Sequence, residues 1–374
     1  MYYKNYFICK MLDNVKSKNI IEKIFKYLKN KRKLNIIKYN KRILSRLNIN
    51  KEHFEKYIIL NEFNNKYNTN IEDIDIKKLN LIDKKIGNEG LEFLSKIKFK
   101  ELKVLDLSDN EISNINILEK VNFEDLKVLC LCGNKISNIN ALEKVNFKEL
   151  EVLYLNNNEI SDINILEKLN IKKLKELCLN NNKISDINIL GKVNFKELEM
   201  LYLSVNLISD ISILEKVNFK KLKELCLSVN LISDMNVLEK VNFKFLKLLD
   251  LGNNKIKDIN ILEKVNFKDL KVLDLNGNKI SGINILEKVN FKKLKKLFLS
   301  HNEISDINIL EKANFKELEV LYLTANSISD ISIFENVNFN DLKILDLSGN
   351  NISRKKNYSI INNLKLKIKT FYFC

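Results

Sequence analysis

One feature of this 374-residue chain restricts its fold more than any other: an asparagine returns every 24 residues. It stands at Asn110, Asn134, Asn158, Asn182, Asn206, Asn230, Asn254, Asn278, Asn302, Asn326 and Asn350, eleven units in one unbroken register. The same leucine spacing precedes each, as in Leu102, Leu105, Leu107 before Asn110 and Leu150, Leu153, Leu155 before Asn158. An imperfect unit leads the series, with Ile76, Leu79, Leu81 and Ile86 matching Leu102, Leu105, Leu107 and Ile112 at an offset of 26 residues and without the asparagine. Self-similarity at such a period signals stacked units, not separate globular domains.

The spacing follows from what one unit must bury. Alternation along a strand sends Leu105 and Leu107 to one face and Val104, Asp106 and Ser108 to the other. A single turn of chain cannot cover its own leucines, so neighbours must stack, and each strand must hydrogen-bond the next in a parallel sheet. The asparagine amide can satisfy backbone groups of the bend after the strand. Ile112, Ile115 and Leu118 then point inward from the return segment, and a phenylalanine closes the unit at Phe99, Phe123, Phe147, Phe195, Phe219, Phe243, Phe267, Phe291, Phe315 and Phe339, with Ile171 the exception. At this period the aromatic stripe reads as core, not as a ligand box.

The unit, L-x-x-L-x-L-x-x-N followed by I-S-x-I-N-I-L-E-K-V-N-F, resembles the leucine-rich repeat family over residues 74–350, most of all its SDS22-like and internalin-like short repeats. The resemblance implies an α/β solenoid: a curved right-handed arc with a parallel β-sheet on the concave face and short helical or 3₁₀ turns on the convex face. On the convex side, Asn116 to Glu119, Asn164 to Glu167 and Ser212 to Glu215 read as N-cap and capping-box glutamate. Gly191 replaces that glutamate in one unit and predicts a looser turn. Residues 71–350 are expected to form the array, 1–70 a helical N-terminal cap and 351–374 a C-terminal cap, in which Leu364, Leu366 and Ile368 alternate with lysines as a final edge strand.

Charge adds a further restriction. The 64 Lys and Arg exceed the 48 Asp and Glu to give +16, which by itself suggests a nucleic-acid or anionic-membrane partner. The excess is not in the repeats. Residues 1–70 carry 17 basic against 5 acidic side chains, residues 71–350 carry 41 against 43, and residues 351–374 carry 6 against none. Basic clusters such as Lys29 to Lys33 are explained more cheaply by solvated helix faces than by phosphate contacts. The N-terminal residues mix aromatic and basic types without an apolar signal core, and no apolar run approaches the ~18 residues of a membrane span. Cys130, Cys178 and Cys226 recur at multiples of 48 residues. On strands roughly 4.8 Å apart they are too distant for disulfides. Exposed, unpaired thiols of this kind suit a cytoplasmic or nuclear location.

Ile20, Ile21, Ile24, Phe25 and Leu28, then Leu34, Ile37, Ile43, Leu44 and Leu47, fall at helical spacing. They would cover the exposed leucines of the first repeat. The same stretch resembles the F-box, which implies that Ile21, Ile24, Phe25, Leu28, Leu34 and Ile37 dock a Skp1-like adaptor of a ubiquitin ligase. The family's Leu-Pro opening is absent, because the chain has no proline.

Partner binding is expected on the outward positions of the strands. The middle column runs through Tyr154, Cys178, Tyr202, Cys226, Asp250, Asp274, Phe298 and Tyr322, with Met200 beside it. Aromatic side chains on a rigid sheet are typical interface anchors. Two units also replace polar rim residues, giving Val205, Leu207, Val229 and Leu231. Drift in a repetitive gene is the plain explanation and a hydrophobic docking patch the functional one. Catalysis has little to work with: His53 and His301 are the only histidines, and neither exposed Cys178 nor Cys226 has a base in register. The expectation is a non-enzymatic protein-binding scaffold without cofactor, metal or small-molecule substrate, with a substrate receptor of a ubiquitin ligase as the alternative. The resemblance to the SDS22-like class adds a phosphatase catalytic subunit as a conceivable partner.

Overall fold

A computed structural model describes Val15, Ile20, Ile21, Lys23 and residues 51–373, except Asp73, Lys98, Lys100, Asn122 and residues 338–340, and except the side chains of residues 51–57. The described residues divide into two compact units: those up to Ile136 with Asn140–Phe147, and Ser137–Ile139 with those from Lys148 onward.

In the first unit, helix α1 (Lys51–Tyr67) is followed by strand β1 (Lys78–Asn80), helix α2 (Gly87–Lys96), and strands β2 (Val104–Asp106) and β3 (Val128–Cys130). β1 pairs with β2 and β2 with β3, all parallel. The 26-residue offset of the imperfect leading unit has a structural counterpart, since its return segment is α-helix α2 where regular units make a 3₁₀ turn such as Asn116–Lys120. Helix α1 docks on α2 through Phe63, whose ring centroid lies 6.5 Å from that of Phe93, and the Lys66 ammonium pairs with Glu89. Gly90 makes this approach possible: a Cβ there would lie 2.3 Å from Ile86 Cβ and 3.2 Å from the Tyr67 ring.

The second unit is a repeated stack. Strands β4 (Val152–Tyr154), β5 (Glu176–Cys178), β6 (Met200–Tyr202), β7 (Glu224–Cys226), β8 (Leu248–Asp250), β9 (Val272–Asp274), β10 (Lys296–Phe298), β11 (Val320–Tyr322), β12 (Ile344–Asp346) and β13 (Thr370–Tyr372) lie in chain order, each parallel to the next. Register is set by equivalent positions, as in Leu177 opposite Leu201 and Leu201 opposite Leu225. The inward leucines are buried, and so are the return-segment isoleucines and the phenylalanine spine. Phe339 of that spine lies outside the described residues. The solenoid architecture expected from the repeat is therefore the architecture present in each unit.

The asparagines do more than close their own bend. Asn206 Nδ2 donates to the carbonyls of Leu203 and Ser204 in its own unit and of Leu179 in the preceding one, at 3.0 to 3.2 Å, while its Oδ1 accepts from Ile184 N–H at 3.0 Å. Asn230, Asn254, Asn278 and Asn302 repeat this set, so each amide joins two turns and none of these buried polar groups is wasted.

Three local expectations are corrected. The convex turns are 3₁₀, but their first N–H is capped from two residues upstream: Asp162 Oδ1 accepts from Asn164 N–H and Asp210 Oδ1 from Ser212 N–H, both at 2.8 Å. Glu119, Glu167, Glu215, Glu239 and Glu263 reach lysines of the following unit rather than closing a capping box, as Glu215 does Lys240 at 3.1 Å. One turn of 3₁₀ helix is too short to bring its third side chain back to the cap. Gly191 does not loosen its turn. Asn188–Gly191 is as long as Ser212–Glu215, and Ile213 Cδ1 lies 2.6 Å from where a Gly191 Cβ would be.

At the C-terminus, the alternation of Leu364 and Leu366 with lysines is not a strand. Helix α3 spans Tyr358–Lys367, and only Thr370–Tyr372 joins the sheet. Ile360, Ile361 and Leu364 share one helical face and are buried, whereas Leu366 is 88% exposed.

Candidate partner-binding surface

All thirteen residues singled out on the repeats for partner binding belong to the second unit. Tyr154, Met200, Tyr202, Cys226, Asp250, Asp274, Phe298 and Tyr322 are partly exposed on the outward face of β4 to β11. Cys178 departs from expectation. It sits in register between Tyr154 and Tyr202 and is only 9% exposed. Cys130 is likewise buried, at 8%, so the thiols expected to be exposed at these two positions are covered, and a partner can reach little of Cys178.

The rim is different. Val205, Leu207, Val229 and Leu231 are 42, 51, 45 and 38% exposed, and they follow β6 and β7 directly, beside Tyr202 and Cys226. Val205 and Val229 also hold left-handed backbone, with φ of 57° and 55°. Every residue that immediately precedes a repeat asparagine has φ between 51° and 66°, and most units supply Gly, Asn or Asp there. A β-branched residue is poorly suited to that region, at a cost on the order of 1–3 kcal/mol. The two valines are thus apolar and exposed at positions where the backbone favours another type.

The electrostatics of the face are set by partial burial. Tyr202 Oη donates to Glu224 Oε2 at 2.6 Å. Burial first, and then this bond to a carboxylate, hold its phenol protonated. Burial pushes the Cys226 thiol up to about 12, helped by Asp250 and Glu224, so it is a thiol and not a nucleophilic thiolate at neutral pH. Burial pushes Asp274 up to about 6; the Asn276 N–H opposes that shift and the Asp250 charge adds to it. Farther along, the rings of Phe298 and Tyr322 meet edge-to-face, with centroids 5.2 Å apart. Among the described residues no three His, Cys, Asp or Glu side chains converge as metal ligands would, and no helix is long and apolar enough to cross a membrane.

Of the proposed adaptor-docking residues, Ile21 is fully buried. Ile24, Phe25, Leu28, Leu34 and Ile37 lie outside the described residues. Sequence reasoning overlooked Phe245, which is 53% exposed in the turn before β8. A signal was present: equivalent positions in the other units are Glu, Asp or Lys, among them Glu197, Lys221 and Asp269.

Comparison with known proteins agrees with this geometry. A model of paired leucine-rich repeats matches residues 148–192, 196–240, 244–288 and 292–336, and two single-repeat models match 341–364 and 101–115. Among solved structures, the chain is similar to an internalin (inlF) from Listeria monocytogenes, with 26% identity, a TM-score of 0.64, and coverage of 84% of this chain and 95% of that one. A leucine-rich repeat protein of Leptospira interrogans shares the fold at 20% identity and a TM-score of 0.52, covering 79% of this chain and 96% of that one. The functional domain of InlJ from Listeria monocytogenes does so at 18% and 0.50, covering 73% and 63%. No curated protein sequence matches the chain significantly.

Proposed function

The chain belongs to the leucine-rich repeat family, and from that membership we propose that it is a non-enzymatic scaffold holding a partner protein on the outward, concave side of its sheet. One observation carries the reading: four aliphatic side chains, Val205, Leu207, Val229 and Leu231, are 38 to 51% exposed in adjacent units, two of them on unfavourable backbone. Exposed apolar clusters rimmed by polar residues mark interaction sites. Tyr202, Phe298 and Tyr322 supply the large, semi-rigid side chains that carry binding energy in such interfaces.

The test is affinity capture with the wild-type chain and with the Leu207→Glu, Leu231→Glu double variant, alongside thermal melts of both. A partner retained by the first and lost by the second, with melts within a few degrees of each other, supports the docking surface. A partner retained equally by both removes these residues from it. The ubiquitin-ligase alternative gains no support from Ile21, which is buried, and the phosphatase partner rests on resemblance alone.

A further inference from the structure

The same surface has a chemical polarity that says what kind of partner it fits. Strands β5 to β9 offer ten outward strand positions, two on each. Four carry carboxylates, Glu176, Glu224, Asp250 and Asp274, and none carries Lys or Arg, although the chain as a whole has a net charge of +16. Among the described residues none of these four carboxylates is in an ion pair, whereas carboxylates at the neighbouring strand ends are paired, such as Glu151 with Lys175 and Glu199 with Lys223. Asp250 and Asp274 are close enough that an added Cβ on Gly252 would meet both, at 3.3 and 3.1 Å from their Oδ1 atoms.

Outside this strip the sign reverses. Lys255 and Lys279 stand on the rim where Leu207 and Leu231 stand in the preceding units, and Lys296 opens β10. The acidic strip is therefore narrow, bordered by cations, and flanked on one side by the exposed aliphatic rim.

We infer that the occupant of this face is a cationic, amphipathic polypeptide segment, its Lys or Arg side chains over the carboxylates of β5 to β9 and its aliphatic side chains against Val205, Leu207, Val229 and Leu231. Four strand spacings of roughly 4.8 Å give the strip a length of about 19 Å. At about 1.5 Å per residue this corresponds to some three to four turns of partner helix. A cation above Asp250 and Asp274 replaces their mutual repulsion with attraction, and like-charged partners are excluded by the same strip. This inference rests on the docking surface proposed above and adds the partner's chemistry.

The experiment uses the full chain and three fluorescent peptides of about 14 residues: an amphipathic Lys/Leu helix former, its Glu/Leu counterpart and a Lys/Ser counterpart. Anisotropy titrations should show binding of the Lys/Leu peptide, with loss of about tenfold or more in affinity on Asp250→Asn with Asp274→Asn, and separately on Leu207→Ser with Leu231→Ser. The Glu/Leu and Lys/Ser peptides should bind at least about tenfold more weakly. Equal or tighter binding of the Glu/Leu peptide, or affinity for the Lys/Leu peptide unchanged by the asparagine pair, overturns the inference. If the Lys/Leu peptide fails to bind while the glutamate variant still loses its captured partner, the cationic chemistry is wrong and the docking surface stands. If the glutamate variant keeps its partner, the surface itself is wrong.

Discussion

At the scale of single residues, buried asparagine and exposed valine show opposite sides of the same bend. Replacing Asn206 or Asn254 by Ala removes bridges between successive turns and takes the acceptor from the buried Ile184 or Ile232 N–H, while the carbonyls keep a second donor, such as Asn230 Nδ2 on Leu203. The unsatisfied N–H costs about 1–3 kcal/mol and the lost amide bonds add to that, so a loss of about 2–4 kcal/mol is expected in chemical denaturation. Val229→Asn should act the other way, gaining about 1 kcal/mol by relieving left-handed strain, while weakening partner capture. A variant both more stable and less able to bind would separate the two roles. Asp274 makes stability depend on pH. With its folded-state carboxyl pushed up to about 6, the folded chain holds a proton that the unfolded chain has released. Its contribution is present below the unfolded value and lost as pH rises from about 4 to about 6. Asp274→Asn should flatten the stability profile over that window and, allowing for partial solvation, add about 1 kcal/mol at neutral pH.

Elements are decided by which face a local pattern can bury. Leu364 and Leu366 would be equivalent on a strand, but α3 buries the first and exposes the second. Leu364→Ala should therefore cost about 2–3 kcal/mol and Leu366→Ala less than about 0.5, a contrast read directly from two denaturation curves. The 3₁₀ turns show a related point. Asp258 Oδ1 accepts from Asn260 N–H at 2.7 Å, so the turn is started by a side chain two residues upstream of its first residue. The glutamate left over from a capping box pairs with the next unit instead, as Glu167 does with Lys192. The motif S/T/N-x-x-E was visible in the chain. What it does depends on the length of the turn, which the motif does not contain.

At the scale of the whole molecule, the repeat was readable because strict spacing and burial are two sides of one requirement: leucines and isoleucines at those intervals cannot be hidden except by stacking. The chain's order thereby dictated the parallel strands, the phenylalanine spine, the asparagine bridges and the outward columns from which the candidate surface is drawn. Charge was readable only in part. The near-balance of residues 71–350 is a sum, and it hides Lys–Glu pairs running from unit to unit together with an acidic strip between basic borders. The pairs at strand ends are solvent-exposed, worth about 0–1 kcal/mol each, so added salt should move the melting temperature little while weakening a cationic peptide on β5 to β9 clearly. Sequence alone determined the period, the class of fold and which residues point outward, because these follow from local spacing and the need to bury apolar surface. Tertiary structure alone decided that Cys178 is buried, that Val205 and Val229 occupy left-handed backbone, that Ile213 fills the space beside Gly191, and that four outward carboxylates in β5 to β9 have no ion-pair partner among the described residues. The burial of Cys178, the filling of the space at Gly191 and the unpaired carboxylates depend on residues about one repeat apart meeting between neighbouring units, a proximity that exists only once the units have stacked.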